Sequence, residues 1–232
     1  MPACFFVRSL AYGPIRALRN LLSASIFLLV PFVAPASAEP LHLLALGDSL
    51  TQGYGLAPDE GLVPQLEAWL RANGADVTII NAGVSGDTTA GGRARLGWSL
   101  TPEVDAVIVA LGGNDLLRGL PPEEARANLS AILEDLAAQG LPALLVGLPA
   151  PGNYGPSYQQ SFDAIWPELS AQYHTLLVPN FLGPIMDLPL RERTARDYMQ
   201  DDAIHPSAEG VTLIVEALGP TVLTLLERAG TP

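Results

Sequence analysis

The chain has 232 residues, 49% of them hydrophobic, and carries 24 acidic residues against 12 basic ones, all arginine. A formal net charge of −12 argues against nucleic acid or an anionic lipid surface as a partner, because both attract clustered basic residues. The hydrophobic fraction is ample for a folded core, and the length indicates a single domain once the leader described next is removed.

The first 38 residues have the layout of a secretory signal peptide. Three arginines and no acidic residue precede the apolar run 21–30, which Pro31 interrupts, and Ala36-Ser37-Ala38 then supplies the small residues that a signal peptidase recognises. The run is shorter than the roughly 20 residues of a membrane-spanning helix. We therefore predict cleavage near Ala38 and a periplasmic or secreted bacterial protein, with an uncleaved N-terminal anchor as the alternative.

Residues 39–232 form the predicted mature domain. It keeps nine arginines against all 24 acidic residues, a formal net charge of −15. The only cysteine, Cys4, lies in the leader, so the domain has neither a disulfide nor a thiolate nucleophile. Cys4 also lies too early to accept a lipid at the cleavage site, and we predict no stable membrane anchor.

Five short apolar runs alternate with longer segments of helical periodicity along this domain. The runs are nearly continuous in hydrophobicity, as in strands that are covered on both faces. They span residues 41–46, 77–80, 106–111, 143–148 and 175–178. The clearest helical segments are 122–139 and 207 to about 228. Strands joined by helical crossovers predict an α/β fold with a doubly wound, mainly parallel five-stranded sheet.

A serine follows the first predicted strand in the sequence Gly47-Asp48-Ser49. The carboxyl ends of parallel strands are where open α/β sheets place ligands and chemistry, and a glycine lets the backbone turn sharply there. We predict that Ser49 is a nucleophile. Gly-Asp-Ser is also ordinary turn composition, so this prediction depends on the partners that Ser49 finds.

The sequence offers three histidines as the base for Ser49. His42 lies seven residues earlier on the same strand, roughly 23 Å away at about 3.3 Å per residue. His174 immediately precedes the fifth strand and so lies at the opposite edge of the sheet. His205 remains, between the last strand and the last helix, and we predict that it reaches Ser49.

Two aspartates, Asp201 and Asp202, precede His205. Asp202 is three residues away, a spacing at which a carboxylate can accept the Nδ1–H of the ring and leave Nε2 free to take the serine proton. Pro206 restricts His205 to extended geometry and begins the helix behind it. We predict that Asp202 orients the histidine and that Asp201 is a loop or helix-capping group.

Acyl transfer also needs hydrogen-bond donors for an oxyanion. The loops after the second and third strands, residues 81–88 and 111–115, contain glycines with open backbone N–H groups and the side-chain amide of Asn114. With the N–H of Ser49, they place donors at three successive strand ends. Taken singly, each loop is an ordinary Gly/Asn-rich turn.

These four segments resemble, in order, the four blocks of the SGNH (GDSL) hydrolase family. The blocks are Gly-Asp-Ser-Leu at 47–50, Ser-Gly-Asp at 85–87, Gly-Asn-Asp at 113–115 and Asp-Ala-Ile-His at 202–205. The match covers about residues 41–229. Segments 81–89, 111–119 and 148–158 are similar to the secreted bacterial thioesterase/lysophospholipase/arylesterase branch of this family.

The resemblance implies a flavodoxin-like three-layer α/β/α sandwich and a serine esterase that hydrolyses acyl esters or thioesters through an acyl-serine intermediate. Ser49 would be its nucleophile, His205 its general base and acid, and Asp202 the group that orients His205. Ser49 N–H, Gly86 N–H and Asn114 Nδ2 would form the oxyanion hole. No cofactor or metal is implied, and the expected partner is a small acyl ester or thioester.

Alternatives remain open at this point. A carbohydrate O-acetyl esterase would share the same blocks, and a non-catalytic periplasmic lipid- or glycan-binding domain would share the sheet. An α/β-hydrolase elbow is not indicated, since Gly-x-Ser-x-Gly is absent, and three scattered histidines do not indicate a metal site. Leu116, Leu117 and Leu120 are candidates for an acyl pocket, although leucines in such a segment also suit the core.

Overall fold

The structure, a computed structural model, describes residues 1, 3, 4 and 39–230. The chain divides into two compact units, residues 1–38 and 39–232, and the fold described below is that of the second. The predicted signal peptide and its cleavage site lie almost wholly outside the described residues, so both stay predictions.

Five strands and ten helices make up the described part of the second unit. The strands are β1 (Leu41–Gly47), β2 (Val77–Gly83), β3 (Val104–Ala110), β4 (Ala143–Val146) and β5 (Leu176–Val178). The helices are α1 (Ser49–Gln52), α2 (Leu62–Ala72), α3 (Thr89–Ser99), α4 (Gly113–Leu117), α5 (Pro122–Ala138), α6 (Pro156–Asp163), α7 (Ile165–Tyr173), α8 (Gly183–Met186), α9 (Leu190–Ala195) and α10 (Ala208–Ala229), with a 3-10 turn at Gly152–Tyr154.

The five strands form one sheet in the order β2-β1-β3-β4-β5, and each neighbouring pair is parallel. This confirms the predicted α/β class with a doubly wound parallel sheet. Because the strands run the same way, their carboxyl ends share one edge. The strand order reverses between β1 and β3, which is the point where ligands bind in such sheets.

Both faces of the sheet are buried under helices, which explains the nearly continuous hydrophobicity of the strands. Alternate residues of β1 point to opposite faces, with Leu43 in one core cluster and Leu44 in the other. Helices α2 and α10 cover the first face, and α3, α5, α6 and α7 contribute to the second. The result is the predicted three-layer α/β/α sandwich.

Strands β2 and β4 end at residues other than the predicted ones. Strand β2 continues three residues past the predicted end, because Asn81, Ala82 and Gly83 still pair with β1. Strand β4 stops at Val146, two residues before the predicted end, although the N–H of Gly147 still donates to the carbonyl of Val178 on β5 at 2.8 Å. A side chain at Gly147 would collide with Trp166, so this position requires a glycine.

Helix α10 begins directly after the loop that contains His205. Its apolar face, including Val211, Ile214 and Val215, is buried in the core that it shares with α2. Its length and composition would also suit a membrane span, and this packing accounts for the apolarity. Ser207 caps the helix by accepting the N–H of Gly210 at 3.2 Å, which fixes the point where His205 leaves the loop.

Candidate active site

Ser49 lies directly after β1, as the first residue of α1. The buried carboxylate of Asp48 caps this short helix by accepting the N–H of Leu50 at 3.0 Å. Gly47 is required here, because a methyl group at its Cβ position would collide with the Thr51 side chain. The sharp turn therefore holds Ser49 at the carboxyl edge of the sheet, where the strand order reverses.

A tight turn brings His205 toward Ser49. The N–H of Gln200 donates to the carbonyl of His205 at 2.8 Å, and the N–H of Ala203 donates to the carbonyl of Gln200 at 2.9 Å. Ala203 adopts a φ of 55°, a left-handed conformation that non-glycine residues seldom take. The Gln200 side chain also donates to the carbonyl of Tyr54 at 2.8 Å, which ties this turn to the chain following α1.

Three side chains form one continuous set of hydrogen bonds. Ser49 Oγ lies 2.8 Å from His205 Nε2, and His205 Nδ1 lies 2.5 Å from Asp202 Oδ2. With Nδ1–H donating to the carboxylate, Nε2 is free to accept the serine hydroxyl proton. The structure thus brings together the nucleophile, base and carboxylate that the sequence predicted.

The second oxygen of Asp202 is held by the backbone of its own turn. Asp202 Oδ1 accepts the N–H groups of His205 at 3.0 Å and Ile204 at 2.9 Å. The backbone and ring hydrogen bonds from His205, followed by the bond from Ile204, lower the pKa of Asp202 to about 2. The carboxyl group is therefore ionised throughout the neutral range and stays an acceptor for the ring.

The other residues considered for these roles lie elsewhere. His42 is on β1, where its backbone N–H donates to Asp105 Oδ2, and His174 ends α7 at the opposite edge of the sheet. Asp201 is exposed in the same turn as Asp202, but the oxygen that contacts the ring belongs to Asp202. Sequence reasoning did not find Tyr54, whose ring lies 4.7 Å from that of His205; no local pattern marks this contact.

The loop after β2 presents the N–H of Gly86. The N–H of Asp87 donates to the carbonyl of Val84 at 3.1 Å, and Gly86 has a φ of 84° at the third position of this turn. A positive φ at the third position alone is the pattern of a type II turn, which favours glycine there. The turn's own hydrogen bond runs from Asp87 to Val84, so it does not use the N–H of Gly86.

Asn114 follows β3 near the start of α4. Its side-chain Nδ2 lies 3.4 Å from Asp48 Oδ2, so the buried aspartate contacts both α1 and the side-chain amide. Burial raises the pKa of Asp48 to about 6, against the smaller lowering by the bonds from Leu50 and Asn114. Ser49, Gly86 and Asn114 accordingly stand at the ends of β1, β2 and β3, three adjacent strands.

An apolar cleft of about 170 Å³ opens beside Ser49. Leu116 and Leu117 line it, as the sequence suggested, whereas Leu120 does not; its carbonyl instead accepts the Tyr158 hydroxyl at 2.9 Å. The lining residues that sequence reasoning missed come from the ends of other elements. They are Asp48, Leu50, Gly113, Leu148, Pro149, Leu182, Ala203 and Ile204. Leu148 and Leu182 follow β4 and β5, so the strand-end rule that marked Ser49 would have marked them too.

Within the part of the chain that the structure describes, no group of three or more His, Cys, Asp or Glu side chains is arranged to hold a metal ion. The groups that the structure places at this edge of the sheet are a hydroxyl, an imidazole, a carboxylate and several N–H donors beside an apolar cleft.

Comparison with known proteins identifies close relatives. The model of the GDSL-like Lipase/Acylhydrolase family matches residues 45–213. Esterase TesA of Pseudomonas aeruginosa is 37% identical over 210 residues, covering 90% of this chain and 100% of that protein. Thioesterase 1/protease 1/lysophospholipase L1 of Escherichia coli is 34% identical over 204 residues, covering 87% of this chain and 93% of its own. The crystal structure of AlinE4, an SGNH-hydrolase family esterase, superposes with a TM-score of 0.65 at 47% identity, over 81% of this chain and 97% of that one.

Proposed function

The chain belongs to the GDSL-like lipase/acylhydrolase family and is a carboxylic ester hydrolase, and we propose that Ser49, His205 and Asp202 are its catalytic triad. The observation that carries this assignment is the unbroken set of hydrogen bonds from Ser49 Oγ through the His205 ring to Asp202, at 2.8 Å and 2.5 Å. Such an arrangement is what nucleophilic catalysis by a serine needs, since an unassisted hydroxyl is a weak nucleophile.

The reaction has two stages. In the first, Ser49 Oγ bonds to the carbonyl carbon of the ester while His205 Nε2 takes the hydroxyl proton. The tetrahedral intermediate then expels the alcohol or thiol, which receives that proton from Nε2, and an acyl-serine remains. In the second stage His205 takes a proton from water, the water oxygen bonds to the acyl carbon, and the carboxylic acid leaves as Ser49 Oγ regains its proton.

Three donors face the negative oxygen of the tetrahedral intermediates in this proposal: Ser49 N–H, Gly86 N–H and Asn114 Nδ2. They come from three adjacent strand ends, which supports a shared target. The N–H of Gly86 is not used in the hydrogen bond of its own turn, and Asp48 accepts a hydrogen bond from the Asn114 side-chain amide at 3.4 Å. Donors placed in advance stabilise the charge without reorganising during the reaction.

Asp202 holds the His205 ring through its Nδ1–H and stabilises the imidazolium that forms in each stage. Because the pKa of Asp202 is lowered to about 2, the carboxylate stays charged throughout the neutral pH range. The Tyr54 ring packs against the His205 ring, with the two ring centroids 4.7 Å apart.

The apolar cleft beside Ser49 is the proposed acyl site. Leu116, Leu117 and Leu148 supply a surface for a hydrocarbon chain, and an acetyl group would leave most of the volume empty. At about 170 Å³ the cleft is smaller than the roughly 300–1,000 Å³ of pockets for drug-sized ligands. We therefore expect esters or thioesters of short to medium acyl chains, in preference to O-acetylated carbohydrate.

The first test is labelling by a fluorophosphonate probe, which reacts with activated serines. The wild-type protein should take up one label, and Ser49→Ala should take up none while keeping its circular dichroism spectrum. A matched Ser85→Ala variant, at an exposed serine of the Gly86 turn, should label like wild type. Equal labelling of Ser49→Ala would overturn the assignment of the nucleophile.

The second test is a chain-length series of p-nitrophenyl esters and acyl thioesters from C2 to C16. We expect kcat/KM to peak between the shortest and longest chains, and Leu148→Trp, which narrows the cleft, to move the peak toward shorter chains. A preference for acetyl esters of carbohydrates over every longer acyl chain would contradict the proposed substrate class.

The proposed place of action is outside the bacterial cytoplasm. This rests on the arginine-flanked apolar run 21–30 and the Ala36-Ser37-Ala38 site. Residues 39–232 carry far fewer basic than acidic residues. This charge fits a mature protein that diffuses freely, because it gives no electrostatic attraction to anionic lipid.

A further inference from the structure

Arg95 lies on α3, outside the four sequence blocks, and its guanidinium joins two of the strand ends that form the proposed oxyanion hole. Its Nε donates to Asp87 Oδ2 at 2.6 Å, and its Nη2 donates to the carbonyl of Gly47 at 2.8 Å. Asp87 directly follows Gly86, and Gly47 is two residues before Ser49. The side chains of Arg95 and Asp87 are each only 20% exposed, so the ion pair is partly shielded from water.

Arg95 completes a set of hydrogen bonds that joins both ends of the Gly86 turn to Gly47. The N–H of Val84, the first residue of the turn, donates to the same Gly47 carbonyl at 3.1 Å. Val84 is thus tied to β1 directly, and Asp87, the last residue of the turn, is tied to it through Arg95. Gly91 leaves room for the carboxylate, since a Cβ there would lie 2.6 Å from Asp87 Oδ1. Both ends of the turn are fixed relative to the strand that delivers Ser49.

The charge of Arg95 matters as well as its geometry. The Asp87 carboxylate is one residue from Gly86, whose N–H is a proposed donor to a developing negative charge. An unneutralised carboxylate at this distance would raise the energy of that charge in a partly desolvated site. The guanidinium, at 2.6 Å from Asp87, carries the opposite charge and opposes this effect.

We infer that Arg95 is a positioning residue for the oxyanion hole: it holds the Gly86 turn in register with the Ser49 turn and neutralises Asp87. The inference rests on the proposed function, because it takes Gly86 N–H and Ser49 N–H as oxyanion donors. Arg95 lies on α3, away from the reacting atoms, yet this inference predicts that its substitution lowers kcat.

The experiment compares Arg95→Met, which keeps an unbranched stem and removes the charge and both donors, with Arg95→Lys, which keeps the charge but cannot hold both partners in one fork. Removal of a direct oxyanion donor costs about 10²–10³ in kcat. Misplacement of one donor should cost less, so we expect about 10- to 100-fold for Arg95→Met with KM changed less than about twofold. Arg95→Lys should lie between Arg95→Met and wild type.

Arg71 offers a matched control. It makes the same kinds of contact, an ion pair with Glu67 at 2.7 Å and a bond to the carbonyl of Val77 at 3.0 Å, but at the amino end of β2. Arg71→Met should therefore keep the wild-type kcat. A loss of kcat as large in Arg71→Met as in Arg95→Met would show a general effect of destabilisation and would overturn the inference.

A transition-state readout separates positioning from folding. Affinity for an alkyl boronic acid, which forms a tetrahedral anion on an activated serine, should weaken in Arg95→Met by about the same factor as kcat falls. The double variant Arg95→Met/Asp87→Asn should regain part of the lost kcat, because the uncompensated carboxylate is gone. Unchanged kcat in a folded Arg95→Met, or a raised KM at unchanged kcat, would refute the proposed role.

Two further comparisons make the result decisive. If Arg95→Met does not fold, Arg95→Lys is used in its place. We expect a reduced kcat at unchanged KM for Arg95→Lys, and wild-type kinetics in that variant would count against the inference.

Ser49→Ala and Asn114→Ala are assayed in parallel. Activity retained in Ser49→Ala would defeat the proposed function itself, whereas loss in Ser49→Ala and Asn114→Ala with normal Arg95 variants would defeat only the role of Arg95.

Discussion

Asp201 and Asp202 are adjacent in the chain, yet only Asp202 contacts the His205 ring. The left-handed backbone at Ala203 closes the turn, so the carboxylate three residues before the histidine folds back onto Nδ1. The same turn supplies two backbone N–H donors to Asp202 Oδ1. At the scale of single residues, the backbone of this turn distinguishes two adjacent aspartates, because the oxygen that contacts the ring belongs to Asp202.

The first prediction separates these two aspartates. Asp202→Asn leaves an imidazole that can adopt the wrong tautomer, a change worth about 10⁴ in kcat in serine proteases. We expect a large loss of kcat for Asp202→Asn and nearly wild-type kcat for Asp201→Asn, with both variants folded by circular dichroism. An inactive Asp201→Asn beside an active Asp202→Asn would mean that the turn carries the other carboxylate inward.

The lowered pKa of Asp202 also has a consequence for stability. Its pKa is about 2 in the folded protein against 3.8 as the ordinary value, so its favourable contribution is complete above about pH 4 and is lost as the pH falls toward 2. In Asp202→Asn, the free energy of unfolding should therefore fall less steeply than in the wild type as the pH is lowered from about 4 to about 2. The effect should be small, because the Asp202 side chain is 36% exposed.

The second prediction concerns Asp48, the buried carboxylate behind Asn114. Its pKa is raised from 3.8 to about 6, so the folded state binds a proton more tightly than the unfolded chain, and stability falls as the pH rises through this window. A shift of this size corresponds to about 3 kcal/mol. Asp48→Asn should thus gain free energy of unfolding relative to wild type between pH 4 and pH 8, by up to that amount in urea titrations.

The gain in stability should be accompanied by a loss of activity. Oδ2 of Asp48 lies 3.4 Å from Asn114 Nδ2, and an asparagine that still caps α1 through Leu50 would turn its own amide nitrogen toward Asn114. We expect a reduced kcat for Asp48→Asn at little change in KM. A stability difference that is the same at pH 4 and pH 8 would contradict the assigned burial effect.

At the scale of elements, the turns between strands and helices carry the site. The third prediction uses two glycines in left-handed backbone, Gly86 with a φ of 84° and Gly74 with a φ of 90°. A Cβ at Gly74 meets nothing within 4 Å, and one at Gly86 comes no closer than 3.7 Å to Arg118. Substitution by alanine therefore introduces backbone strain of about 1–2 kcal/mol in both cases without a steric clash.

Gly86→Ala and Gly74→Ala should accordingly show similar falls in the free energy of unfolding, but only Gly86→Ala should lose kcat. Relief of the strain would rotate the peptide that presents Gly86 N–H, whereas Gly74 lies between α2 and β2 at the opposite edge of the sheet. Equal kcat values in the two variants would show that the orientation of this peptide does not matter for the reaction.

At the scale of the whole molecule, the predicted leader determines export from the cytoplasm. The fourth prediction is that the leader is removed near Ala38, because the arginines, the apolar run and the small residues match the requirements of a signal peptidase. Mass spectrometry of protein isolated from the periplasm or medium should give a chain that begins close to residue 39. An intact N-terminus recovered in the membrane fraction would instead identify the segment as an anchor.

The fold class was predictable because hydrophobicity is a local signal of burial. Runs such as 41–46 and 106–111 are apolar throughout, as strands between two helical layers must be, and β1 and β3 were found within two residues at each end. Parallel strands then place their carboxyl ends together, so the sequence was enough to predict Ser49, the Gly86 loop and Asn114 at one edge of the sheet. His205 followed by elimination, since the strand direction puts His42 and His174 out of reach.

Contacts between distant segments were not predictable in this way. Arg95 reaches a carbonyl 48 residues earlier, and the Tyr54 ring packs against that of His205; neither separation leaves a periodic pattern in the chain. The cleft beside Ser49 likewise combines α4 with the ends of β4 and β5. Residue types and their order were enough for the sheet, its active edge and the chemistry expected there, because each depends on local hydrophobicity and strand direction. The tertiary structure was needed for the shape of the acyl cleft, the contact of the Tyr54 ring with His205 and the arginine that joins two strand ends, because each arises from side chains that meet only in the folded protein.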